Sequence, residues 1–232
     1  ELVIIVCYIK IMRKNFVFPT GSDSLKSLKD AIGDLPEPFS ARPFNKTNGQ
    51  TLKIPNHEYM NGGFSSIYMS RNRVRNWNEQ SFTIQAGGRH APIHPKAPKM
   101  IFIEQNKRIF VPGKENLYRR LSVRECARIQ TFPDNFRFYY KDISDGYKMV
   151  GNAVPVEFAK AIANKIMADL QEYISNVSQY PIYEHQETKK ALIKEPLANY
   201  FQGIQKKLEK KYKNYLQEHE PQPTKLRKQR KG

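Results

Sequence analysis

Arg71, Arg73 and Arg75 are separated by single residues in the run RNRVR. Along an extended chain every second side chain projects to the same side, so all three guanidiniums would share one face. The guanidinium fork matches the O6/N7 edge of guanine, and a good bidentate pair discriminates against the wrong base by about 1–3 kcal/mol. The same face could instead hold phosphates or be merely solvated. Arg89, in GGRH, adds a fourth guanidinium, and Thr83, in SFTIQA, offers a hydroxyl that suits a backbone phosphate. Threonine is equally at home in a plain strand. His90 and His94 stand four apart, which suits metal ligation on a helix, but Pro92 and Pro95 oppose a helix there. They read as loop histidines, and no metal site is expected. Cys7 and Cys126 form neither a CxxC pair nor a cluster, which excludes a disulfide framework and a cysteine zinc site.

The 232 residues carry 39 Lys and Arg against 22 Asp and Glu, a net charge of +17. Residues 187–232 alone hold +8 of it. A field of this size favours polyanionic partners without naming one. The longest apolar run, Leu2–Ile9, is far short of the roughly 20 residues that span a bilayer and reads as a buried strand. It lacks the basic lead and the small-residue cleavage site of a signal peptide. A cytoplasmic setting without membrane partners is therefore expected.

The elements that must hold these side chains are short. Leu25, Leu28, Ala31 and Ile32 predict a helix that Gly33 and the Pro36/Pro38 pair stop. Over 45–112, turn signals at Asn48-Gly49 and Asn61-Gly62-Gly63 alternate with the β-favouring pieces SSIYM, SFTIQA, KMIFI and RIFV, which predicts a small, loop-rich β region. Trp77 and Phe82 are expected in its core. Ser122 stands three residues before Glu125, so a capping box predicts a helix over 122–130. A further helix is predicted from Pro155 to about Ile174, with Ala159, Ile162, Ala163, Ile166 and Leu170 on its buried face and Lys160, Lys165 and Asp169 turned away. Leu197, Phe201, Ile204, Leu208 and Tyr215 trace another stripe on a basic helix before a polar end.

Two segments carry a family resemblance. RRLSVRECARIQTFPDNF (Arg119–Phe136), followed by GYKMVGNAVPVEFAKAIA (Gly146–Ala163), resembles the last two conserved blocks of DNA cytosine-5 methyltransferases in order and spacing. The stretch Asn56–Pro95 looks like the target recognition domain of the same family, with its Thr-aliphatic pair at Thr83-Ile84, and is nearest to members that methylate GGCC in bacterial restriction–modification systems. Together the resemblance runs from about Leu25 to Ala168.

What it implies is an α+β fragment: a small loop-rich β recognition domain plus C-terminal helices that complete a doubly wound, Rossmann-like α/β methyltransferase domain. The implied parts are the last catalytic strand and a linker (1–44), the recognition domain (45–118), the last two motifs returning to the catalytic domain (119–175), and a basic helical and disordered tail (176–232). Double-stranded DNA is the implied partner and S-adenosylmethionine the implied cofactor. By resemblance Arg71, Arg73 and Arg89, with Arg75 beside them, contact bases or nearby phosphates, and Thr83 holds the phosphate beside an extruded cytosine. Asn152, with Ala153 and Val154, lines the cofactor and cytosine pockets from a tight turn before a helix N-terminus, where backbone amides can meet a ligand. Arg124 and Glu125 are expected to orient the penultimate helix.

The family's chemistry requires a thiolate that adds to C6 of a flipped cytosine, so that C5 can take the methyl group. That cysteine follows proline in the family, whereas Cys7 follows Val6 and Cys126 follows Glu125. The F-x-G-x-G loop, the E-N-V acid and the Q-x-R-x-R strand do not occur either, and Glu115-Asn116-Leu117 imitates E-N-V at the wrong place. The expectation is a bacterial modification-enzyme portion that is inactive alone and needs a separate N-terminal half. A stand-alone sequence-specific DNA-binding module is the alternative, and an RNA-binding protein finds no RNP-type or KH-type signature. Exposed apolar surface is expected where that half would sit.

Overall fold

The structure, a computed structural model, describes residues 3–8, 12, 14–21 and 25–178. The chain divides after Ser175 into two units. The expected basic helix and tail beyond residue 178 lie outside the described residues.

The described residues form a mixed α/β arrangement with two small sheets. Helix α1 (Leu28–Ile32) is closed by a capping box between Ser27 and Asp30 and ends at Gly33. Strands β1 (Phe39–Ser40) and β2 (Glu58–Tyr59) pair in parallel, with Phe39 opposite Glu58. Helix α2 (Ser66–Met69) follows, then the antiparallel hairpin β3 (Ile101–Glu104) and β4 (Lys107–Ile109), then helices α3 (Val123–Ile129), α4 (Ile143–Asn152) and α5 (Val156–Ser178).

Helix α3 forms as its sequence requires: the Ser122 hydroxyl accepts from the Glu125 amide, and the Glu125 carboxylate accepts from the Ser122 amide. Each orphan amide so satisfied stabilises a helix by about 1 kcal/mol. Residues Leu121 to Ala127 are all buried and form the floor of one core with Leu28, Ile32, Phe138, Ile143, Tyr147 and Val150. A second core gathers Tyr68, Val74, Ile93, Ala97, Met100 and Tyr118, with Phe64 and Phe110 packed against it.

Several expectations are corrected. SSIYM is not a strand but contains α2, because the Ser65 hydroxyl caps the Tyr68 amide and buries Tyr68, whose hydroxyl donates to the Ala91 carbonyl at 2.6 Å. SFTIQA forms no strand: Ile84 alone is buried while Thr83, Gln85 and Ala86 face water. Within the apolar N-terminal run, residues 3–8 form no strand. Val3, Ile5 and Cys7 are exposed and Ile4, Val6 and Tyr8 half-buried, the alternation of a strand, but among the described residues no neighbour completes a ladder with them. In the first helix Leu25 stays outside, exposed. Helix α5 buries Ile162 and half-buries Ile166 and Leu170, but Ala159 and Ala163 are exposed. Asp169, expected to face away, is buried, because Tyr8, Lys14 and Lys165 all donate to its carboxylate at 2.6 Å. Those donors hold its pKa well below the carboxylate range.

Candidate nucleic-acid interface

The loops that carry Arg73, His94 and Arg119 are held by a three-way meeting at Ile93. Its amide donates to the Arg73 carbonyl at 3.0 Å, the His94 amide to Arg119 at 2.9 Å, and the Leu121 amide to Pro92 at 2.8 Å. Isolated bridges Val74–Ile93 and Ile93–Arg120 record the same pairing. The arginine run is therefore fixed at Val74, which is buried, while its flanking side chains go to different fates.

Arg73 turns back on α2: its Nε donates to the Tyr68 carbonyl at 2.9 Å, and its guanidinium lies 4.8 Å from the Tyr68 ring centroid. Arg75 pairs with Glu79 and stacks 4.3 Å from the centroid of Phe82, which carries the guanidinium rather than filling a core. Trp77 is half-buried and meets His94 edge to face. Arg71 and Arg89 are exposed and, among the described residues, have no hydrogen bond, ion pair or ring contact. Thr83 is exposed between them in sequence. The expectation of three equivalent guanidiniums on one face thus gives way to Arg71 and Arg89 free, with Arg73 and Arg75 committed to their own loops.

Below these loops lies a charged frame. Glu125 accepts two hydrogen bonds from Arg119, at 2.8 and 2.9 Å, and one from the Ser122 amide at 2.7 Å. Burial pushes its carboxyl upward, but the Arg119 pair outweighs this and leaves its pKa below the usual carboxylate value. His94 Nε2 stands 3.7 Å from the same carboxylate, yet burial depresses its pKa to about 4, so it is neutral at pH 7. His90 is exposed, and among the described residues no three potential metal ligands gather. Arg124 is fully buried and donates to the carbonyls of Pro55, Pro133 and Phe136, tying α3 to the loops on either side of it.

The implied cofactor turn is built differently from expectation. Gly151 and Asn152 are the last residues of α4, and the turn is Ala153-Val154-Pro155. The Val156 amide donates to the Gln130 carbonyl at 3.1 Å and the Glu157 amide to Thr131 Oγ1 at 2.9 Å, so the first two amides of α5 are already satisfied within the chain. The exposed Asn152 side chain remains the polar group there that is open to a ligand.

Three features escaped the sequence reading. A cleft of about 520 Å³ opens beside Arg89. Phe44 stands at its rim, 92 % exposed, and Ile67 on α2 is 74 % exposed beside the Arg73 loop. Arg108 of β4 donates to the Ser70 carbonyl at 2.6 Å and so clamps the residue before Arg71. Apolar residues in loops between prolines and glycines carry no periodicity to mark them, and a hairpin arginine gives no sign of reaching a distant carbonyl.

The family model of C-5 cytosine-specific DNA methylases matches residues 3–168, and the chain belongs to that family. It is 60 % identical over 169 residues to the type II methyltransferase M.MthTI of Methanothermobacter thermautotrophicus, covering 73 % of this chain and 51 % of that protein. It is 52 % identical over 165 residues to the type II methyltransferase M.FnuDI of Fusobacterium nucleatum, covering 71 % of this chain and 48 % of the relative. A shorter stretch of 49 residues, 21 % of this chain, is 55 % identical to DNA (cytosine-5)-methyltransferase 1 of Mus musculus and covers 3 % of it. The chain spans about half the length of the type II relatives it matches. Among the described residues no helix is long and apolar enough to cross a membrane.

Proposed function

We propose that this chain is the recognition and C-terminal portion of a DNA cytosine-5 methyltransferase of a bacterial restriction–modification system, reading a short GC-rich palindrome, GGCC. Residues 45–118 are its recognition domain. Residues 119–175 return to a doubly wound catalytic domain, and residues 1–44 end it. The observation that carries this reading is the pair of free guanidiniums, Arg71 and Arg89, held on loops whose other arginines are internally satisfied. Arg71 suits a guanine O6/N7 edge of GGCC, and Arg89 a phosphate beside the site. Exposed Thr83 supplies a hydroxyl for the adjacent phosphate.

The chain alone does not transfer methyl groups. Cys126 is fully buried, and burial together with the nearby Glu125 charge drives its thiol pKa far upward, the opposite of what a nucleophile needs. S-adenosylmethionine fits this portion only at its edge: Asn152 is available, while the first two amides of α5 are taken. When bound it supplies the methyl group, and this chain's contribution is to place DNA and close one side of the pocket. A Pro-Cys motif, which these 232 residues do not include, completes the site.

Titration of the full chain against GGCC and scrambled duplexes tests the reading, with methyl transfer measured before and after adding a polypeptide that carries that motif. Target preference, no transfer alone and transfer on mixing are expected. Methyl transfer by the chain alone overturns the incomplete-enzyme reading. Tight specific binding with no gain of activity on mixing would favour a stand-alone DNA-binding module.

A further inference from the structure

The cleft beside Arg89 has features that folding alone does not call for. Phe44 and Asn45 both adopt left-handed backbone, at φ 58° and 56°. For non-glycine residues this costs on the order of 1 kcal/mol each. The strained tip is braced by the Arg42 amide on the Lys46 carbonyl at 2.9 Å and by the Asn61 amide on Asn45 Oδ1 at 2.7 Å. What the bracing achieves is to hold an aromatic ring out in water, where it contributes nothing to either core.

The charge of the cleft is equally one-sided. Arg120, 4 % exposed, lines it with both terminal nitrogens spent on the carbonyls of Gly62 and Gly63, at 3.0 and 2.8 Å, and its plane 4.1 Å from the Phe64 centroid. It forms no ion pair among the described residues, and its buried Nε has no hydrogen-bond partner. Arg89, also lining the cleft, is unpaired and close enough to lower the Arg120 pKa further. The carboxylate of the lining, Asp142, is neutralised by Lys46 at 2.5 Å. A buried guanidinium without an anion is costly, and a second beside it makes the cleft a place where an anion is stabilised. At Gly63 a Cβ would meet open space, and its φ is not in the left-handed region, so the free fold does not require glycine there. Close approach of a ligand to that backbone would require it.

We propose that this cleft binds a DNA phosphodiester outside the recognised base pairs, with Arg89 holding the anion, the buried Arg120 charge behind it adding attraction, and the Phe44 ring packed on the adjoining nucleoside. The inference rests on the DNA-recognition reading above. It adds a flank contact that contributes affinity without sequence preference, whereas Arg71 discriminates.

The test is anisotropy titration of the full chain, wild type and Phe44→Ala, with GGCC and scrambled duplexes. It is joined by photocrosslinking to duplexes carrying 5-iododeoxyuridine at single positions flanking or replacing target bases. Phe44 is exposed, so its removal leaves the melting temperature unchanged. The expected result is a loss of affinity of roughly five-fold or more, equal for both duplexes, restored by Phe44→Tyr, with crosslinks to Phe44 from flanking positions only. Wild-type target preference with unchanged Phe44→Ala affinity overturns this inference alone. Wild type that binds no duplex overturns the DNA reading and this inference together. Crosslinks from within the target, or binding of dCMP as tight as that of duplex, overturn the assignment to a flanking phosphodiester.

Discussion

Gly151, at the end of α4, lies against the backbone of Gln85: a Cβ built there would stand 2.4 Å from the Gln85 carbonyl carbon and oxygen. Gln85 is two residues past Thr83, so the helix that ends in Asn152 and the loop that presents Thr83 meet with no side chain between them. The glycine of GNAV is therefore a contact between α4 and the loop that carries Thr83. Nothing at that position but hydrogen fits the interface.

Gly151→Ala is accordingly expected to destabilise the chain by about 1–3 kcal/mol, since the clash is with backbone that cannot swing aside. Gly63→Ala, where a Cβ meets nothing within 4 Å, is expected to change stability by less than about 0.5 kcal/mol. Urea unfolding of the two variants beside wild type measures the contrast. Equal stability of all three would show that α4 does not press on the Thr83 loop.

The arginines separate by what they touch. Arg71→Ala should leave the melting temperature unchanged and reduce the preference for GGCC over scrambled duplex by about 1–3 kcal/mol of discrimination. Arg73→Ala should do otherwise, because it removes donors from the Tyr68 and Ile67 carbonyls and a guanidinium from the Tyr68 face. Both stability and affinity should fall. Paired melting and binding curves decide, and a stability loss on removing Arg71 would mean that its side chain is not free.

The residue types of this interface were legible in the sequence, but their division of labour was not. Spacing put Arg71, Arg73 and Arg75 together, yet the partners that withdraw two of them, the α2 carbonyls and Glu79, are supplied by how the loop turns. The α3 cap was fully legible, because Ser122 and Glu125 interact across one turn and depend on nothing distant. Helix α4 was not: its Gly146 and Gly151 resemble turn residues, and both are glycine because Tyr140 and the Gln85 backbone pack directly on the helix. Likewise the β-favouring Ile67 and Tyr68 entered a helix once the Ser65 cap and the Ala91 carbonyl fixed Tyr68. Local signals were reliable where the interaction was local, and tertiary contacts overrode them elsewhere.

His94 gives the stability a pH dependence. Its pKa falls from 6.5 to about 4 on folding, chiefly by burial. Between those values the unfolded chain binds the extra proton, so stability is complete above pH 6.5 and is lost as pH falls towards 4. At pH 5 the loss from this group alone is on the order of 2 kcal/mol. His57, also lowered by burial, acts in the same direction. Melting curves at pH 7.5 and 5 should show the drop, and His94→Gln should flatten it. A slope unchanged in that variant would exclude His94 as its source.

Residues 3–8 offer a readout of the proposed catalytic half that does not depend on catalysis. Val3, Ile5 and Cys7 face water in alternation with half-buried neighbours, while Met149 and Phe158 are exposed elsewhere on the same unit. An extended apolar segment with unpaired backbone groups is a template for pairing. In the native chain an alkylating reagent should therefore modify Cys7 and spare Cys126, and both should react on unfolding. If a polypeptide carrying the catalytic half pairs with residues 3–8, Cys7 becomes protected in the mixture in proportion to complex formed. A duplex containing 5-fluorocytosine at the target should then trap a covalent adduct on the added polypeptide rather than on this chain, because the thiol that attacks belongs to the Pro-Cys partner. Persistence of Cys7 labelling in an active mixture would show that the halves meet at another surface. An adduct on Cys7 or Cys126 would overturn the assignment of the nucleophile.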